Sequence, residues 1–133
     1  MSKNTVFAIA MCAGFASTAL AGGTTVLSDA NSSATFDTTS GQVNWLVDGQ
    51  NQLFTQEFYF RRASDTREYR VDSTNLSLDG IFATDTNPFS DTNNDALAQL
   101  YSDGSGLQIE TLFTLRGGTA GSSNADLAEQ ITI

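Results

Sequence analysis

The chain has 133 residues, enough for one small domain, and fifteen Asp and Glu against six Lys and Arg give it a net charge of −9. Setting residues 1–21 aside as an export signal leaves 112 residues with no Lys, Cys, Met or His, in which five Arg against fifteen acids make the charge −10. Those absences exclude an imidazole base, a thiolate nucleophile, a Schiff-base Lys, a Cys/His zinc site and an axial haem ligand, and so large an acidic excess excludes nucleic acid as a partner.

The signal is read first. Lys3 supplies the positive start, residues 6–16 are apolar and small, and Ala19-Leu20-Ala21 precedes the polar Gly22-Gly23-Thr24-Thr25. The apolar run is about half of the ~20 residues that span a bilayer, so it reads as a secretory signal cut between Ala21 and Gly22. Cys12 follows Met11 inside the apolar run and is read as signal filler rather than a lipidation site. The 112 residues from Gly22 onward are then one domain of an exported protein, at the cell envelope or outside the cell, with no transmembrane helix.

Val26-Leu27 and Ala34-Thr35-Phe36 read as short strands separated by the turn cluster Asp29-Ala30-Asn31-Ser32. Residues 43–47 and 53–62 flank Asp48-Gly49, a strong hairpin signal. The second run has no wholly polar face, which predicts a central, covered strand. Residues 67–71 read as an exposed strand, and Asp79-Gly80 as a second tight turn between residues 76–78 and 81–83. The longest loop is 85–95, and residues 96–101 are read as a strand in preference to a helical turn. Residues 107–115 alternate most cleanly, with Leu107, Ile109, Phe113 and Leu115 expected in the core beside Trp45, Phe58 and Phe60. Residues 117–123 form a flexible turn before a last strand at 127–133. About seven or eight short strands with turns every ten residues or so predict an all-β, antiparallel β-sandwich.

Asp91, Asn93 and Asp95 match the opening D-x-N-x-D of a calcium loop. Ala96 stands where that loop needs Gly, and Ser102 where it needs a bidentate Glu, so an Asx-rich turn is preferred over a calcium site. No other cofactor is expected. Glu57 and Glu110 would serve as an acid–base pair only if a sheet brought them together, and they are read as outward-facing residues instead. Arg61, Arg62, Arg67 and Arg70, with Asp65, Glu68 and Asp72 interleaved, are read as an ion-paired hairpin face rather than a site for an acidic glycan. Trp45 and Tyr59 are expected to pack in the core rather than to stack on sugar rings. The chain is accordingly expected not to be an enzyme.

The ordered segments NWLVDGQNQLF, FYFR, DTNPF and TLRGGTAGSSNADLAEQITI resemble exported bacterial proteins that end in a PEP-CTERM sorting signal. The resemblance implies export to the envelope of a Gram-negative bacterium and a surface or matrix role linked to exopolysaccharide or biofilm, with polysaccharide among the expected partners. It carries over no catalytic residues. The alternative is a carbohydrate-binding module or part of a glycan-active enzyme. The sorting signal itself is not among these residues, and the final run is still alternating at Ile133. That predicts the N-terminal part of a longer protein, whose sandwich gains further strands. Ala19, Ala21 and Gly22 define the expected cleavage site. N-terminal sequencing of secreted protein should therefore begin at Gly22, and a sequence beginning at Met1 or within residues 6–16 would refute the signal assignment.

Overall fold

The computed structural model describes residues 23–53 and 55–133; the expected signal and its expected cleavage site at Ala19, Ala21 and Gly22 lie outside them. Ten strands and no helix make up the regular structure of the described residues: β1 (Thr24–Asp29), β2 (Ser32–Asp37), β3 (Gly41–Val47), β4 (Gln50–Leu53), β5 (Tyr59–Phe60), β6 (Tyr69–Arg70), β7 (Ser77–Thr84), β8 (Ala96–Ser102), β9 (Gln108–Gly117) and β10 (Ala125–Thr132). The first four form one antiparallel meander and the last four another, while β5 and β6 pair separately. The fold is all-β and sandwich-like.

The two meanders face each other through their alternating apolar residues. Leu27, Ala34 and Phe36 from the first meet Leu97, Phe113 and Leu115 from the second, and Trp45, Phe58, Ile81 and Leu127 pack around them. The rings of Phe36 and Phe113 lie 4.4 Å apart, tilted by 45°. A second cluster, Val71, Leu76, Tyr101 and Ile109, is covered by Phe58, Phe60, Leu78 and Leu107. Of the expected core, Ile109, Phe113 and Leu115 are buried; Leu107, Trp45, Phe58 and Phe60 are half-buried against these clusters.

The Asp48-Gly49 hairpin forms as expected. Both residues have positive φ, 49° and 75°, which matches the twist of a two-residue hairpin loop. Asp79-Gly80 does not turn. Leu78 and Ile81 both pair with β8, opposite Tyr101 and Gln99, and a bulge between Leu78 and Gly80 takes up the extra residue. Leu78 and Ile81 are three apart, so only a one-residue bulge puts both on the core side. The expected long strand at 53–62 is also broken. Its chain leaves the first sheet at Leu53, makes one bridge through Gln56 to Gln42, and re-forms as β5. The break carries Phe58 across to touch both core clusters, while Tyr59 turns outward, 57% exposed.

A further bulge lies between β2 and β3, where Thr35 faces Asn44 and Phe36 faces Gln42. It skips Val43 and turns Gln42 inward, 2% exposed. Backbone packing is tightest at Gly117, where a Cβ would lie 1.9 Å from the Asp29 carbonyl oxygen. At Gly49 a Cβ would meet nothing within 4 Å. Gly49→Ala should therefore cost only its backbone strain, about 1–2 kcal/mol. Gly117→Ala should cost more, about 3 kcal/mol or above, because the Asp29 backbone must move. Urea midpoints of the two variants check the order.

Candidate functional site

Three side chains from the first sheet bind the backbone of the β9–β10 loop. Asp48 accepts hydrogen bonds from the N–H groups of Gly121 (2.7 Å) and Ser123 (2.8 Å) and from Asn31 Nδ2 (3.1 Å). Asn31 Oδ1 accepts from Gly118 N (2.7 Å), and Asp29 Oδ2 from Gly117 N (2.9 Å). The backbone N–H groups of Gly121 and Ser123, with Asn31, hold the Asp48 carboxyl below its ordinary value. Short polar residues at the β1–β2 and β3–β4 turns thus serve as acceptors for a glycine-rich loop whose own N–H groups would otherwise lack partners. The D-G hairpin and the R-G-G-x-x-G-S stretch, some 70 positions apart, are physical partners.

The other end of the sandwich is held by Arg70. Its guanidinium donates to Asp72, to Glu57 Oε1 (2.8 Å) and to the Thr39 carbonyl (2.6 Å). Asp72 is fully buried and also accepts from Thr74 Oγ1 (2.6 Å), Thr74 N (2.9 Å) and Asn75 N (3.0 Å). Burial works to raise the Asp72 carboxyl, but these hydrogen bonds outweigh it and leave the group below its ordinary value. Tyr59 Oη donates to Glu57 Oε2 (2.6 Å), and with Arg70 it keeps Glu57 ionised.

The ion-paired reading of the arginine hairpin holds for two of its members, Arg70 and Arg62. Arg62 pairs with Asp65 (3.0 Å) and Asp103 (2.7 Å), and Arg67 lies 4.8 Å over the Tyr69 ring. Trp45 packs against the core, its Nε1 donating to Ser32 Oγ at 2.9 Å. Tyr59 departs from expectation by facing solvent, because β5 belongs to the small separate sheet.

Glu57 and Glu110 are not brought together. Glu57 is engaged by Arg70 and Tyr59, whereas Glu110 lies on the exposed side of β9, between Leu100 and Thr132. Asp91, Asn93 and Asp95 do not share one set of contacts either. Asp95 is 1% exposed and gives both oxygens to Thr86, N and Oγ1 each at 2.8 Å, while Asp91 Oδ1 accepts from Asn93 N. Among the described residues no three Asp or Glu cluster as metal ligands. A cavity of about 10 Å³ lies between the sheets, lined by Gln42, Gln56, Gln99 and Thr111 among others. Phe58, Val71, Tyr101 and Phe113 also line it, its size is that of about one water, and the Gln42 Oε1 beside it is buried without a partner. No helix among the described residues is long and apolar enough to cross a membrane.

None of the residues that tie the sheets together was given that role from sequence: Asp48 read as half of a hairpin turn, and Arg70 as part of an ion-paired hairpin face. Asp29 and Asn31 read only as turn formers, and Asp72 as part of an exposed ion-paired face, whereas it is buried and paired with Arg70. One signal was available: carboxylates and amides in turns facing a glycine-rich loop.

The acid-side dependence follows from these carboxyls. Asp37, Asp48, Asp65, Asp72 and Glu57 are all lowered, and Asp103 is brought down to about 2 by Ser105, Arg62 and the Leu107 N–H. A lowered folded value means stability present above the ordinary carboxyl range and lost as pH falls through the folded values. Burial pushes Tyr101 up to about 12, so stability should also fall as pH rises from about 10 toward 12. Urea midpoints across pH should show both flanks, and Tyr101→Phe should flatten only the alkaline one.

Comparison with protein-family models, with curated proteins and with solved structures finds no match.

Proposed function

We propose that this chain is a non-enzymatic bacterial surface or extracellular-matrix protein, a sandwich-like domain with a structural or adhesive role in an exopolysaccharide or biofilm setting. The observation that carries the proposal is the use made of its carboxylates. Asp29, Asp48, Asp72 and Asp95 each accept hydrogen bonds from the protein's own backbone or side chains, and Glu57 is neutralised by Arg70. A glycosidase acid needs a carboxyl raised toward neutrality, and Glu57 is shifted the opposite way. The sequence resemblance to PEP-CTERM-type exported proteins supports the same reading, as does an acidic excess suited to a hydrated matrix.

A second reading, a carbohydrate-binding module, rests on one feature. Tyr59 is 57% exposed on the small β5–β6 sheet, where Tyr69 lies under Arg67. An exposed ring on one strand and a guanidinium-capped ring on its partner strand would offer a platform for a sugar face.

Two measurements separate the readings. Glu57→Gln and Glu110→Gln should leave any glycan-cleaving activity of the preparation unchanged; loss in both, with folding intact, would restore the enzyme reading. Affinity electrophoresis through gels holding a neutral or an acidic polysaccharide should show no retardation that depends on Tyr59. Retardation abolished by Tyr59→Ala would favour the binding module.

A further inference from the structure

We infer that the cavity between the two meanders is a built site for one internal water, which ties Gln42 of the first sheet to Gln99, Thr111 and Tyr101 of the second. Its volume, about 10 Å³, matches a single water. Gln42 is 2% exposed, lines the cavity, and has its Oε1 buried with no hydrogen-bond partner. Wholly apolar cavities stay dry. A buried acceptor without a donor draws a water in, because leaving it unpaired costs its full desolvation.

The backbone places this glutamine deliberately. Thr35 faces Asn44, so an unbroken ladder would next set Phe36 opposite Val43; the bulge sets it opposite Gln42 instead. A buried glutamine thus takes the inward position that its apolar neighbour could have filled, and Val43 is only half-buried. Burying an amide in place of a valine is unfavourable unless the amide is bonded. The backbone here is fixed by a pair of hydrogen bonds, Gln42 N to the Gln56 carbonyl at 3.1 Å and Gln56 N to the Gln42 carbonyl at 2.9 Å. Gln42 Nε2 is directed to the Asn44 carbonyl at 3.5 Å, and Gln56 Nε2 to Glu129 at 2.7 Å. Gln42 Oε1 is left over.

The opposite wall supplies the remaining partners. Gln99 and Thr111 face each other across β8 and β9, and Thr111 Oγ1 donates to Gln99 Oε1 at 3.3 Å. That bond uses the Thr111 proton, so its oxygen can accept, while Gln99 Nε2 and the Tyr101 hydroxyl can donate. A water in the cavity gives one proton to Gln42 Oε1 and the other to Thr111 Oγ1, and accepts from Gln99 or Tyr101. About three bonds are typical of an internal water. The site lies where the two core clusters meet, with Phe113 of one and Val71 and Tyr101 of the other on its wall. The water is therefore a polar crosslink between the sheets, midway between the networks of Asp48 and Arg70.

Magnetic relaxation dispersion of the water oxygen, measured on the purified protein, counts long-lived internal waters, and a crystal structure locates them. We expect a dispersion from the unmodified chain and a water within hydrogen-bond distance of Gln42 Oε1. Gln42→Met keeps the length of the side chain and removes the acceptor; it should lose that dispersion amplitude and lower the urea midpoint. Val71→Ile adds a methyl group at the cavity wall and leaves Gln42 in place; it should displace the water and lower the midpoint as well. In a dry cavity both changes would raise the midpoint, since the first removes an unpaired acceptor and the second fills a void. No dispersion from the unmodified chain, an amplitude that both variants retain, or a midpoint raised in either would overturn the inference.

Discussion

The fold depends on the bonds that Asp29, Asn31 and Asp48 make to the β9–β10 loop. Two meanders facing each other across an apolar core can slide, since hydrophobic contact has no direction. Hydrogen bonds between turn side chains of one sheet and loop N–H groups of the other have direction, and they set the sheets in one relative position. Gly117 permits this closeness: with any side chain there the β1–β2 turn could not reach the loop. The Phe36–Phe113 contact lies within the same interface.

Arg70 plays the matching part at the opposite end. It gathers Glu57, Asp72 and the Thr39 carbonyl, joining the β2–β3 turn to the small β5–β6 sheet. Exposed ion pairs contribute little, and Arg62 with Asp65 and Asp103 is of that kind. Asp72 differs because it is buried, and removing Arg70 would leave a buried carboxylate short of a partner. Each of the two core clusters is thus closed by a carboxylate-centred network at its own end.

Three irregularities shape the surface that remains. The bulge at Val43 turns a glutamine into the core and leaves a cavity with room for about one water. The bulge at Asp79 protects the β7 edge, and the break after Leu53 brings Phe58 over both clusters. β10 has no such device among the described residues and pairs with β9 in unbroken register.

Composition and period-two alternation were enough to determine an all-β domain, most strand positions, the Asp48-Gly49 hairpin and the burial of Ile109, Phe113 and Leu115. These are local properties, legible because a strand's side chains alternate whatever it pairs with. The same alternation misled wherever pairing added or skipped a residue. Asp79-Gly80 has turn chemistry, yet both flanking runs found the same partner strand. Residues 53–62 have strand chemistry, yet covering the second core cluster required a break. The roles of Asp29, Asn31 and Asp48 were decided only in three dimensions, because a turn carboxylate or amide reads the same whether it faces water or the backbone of a loop 73 to 88 residues away.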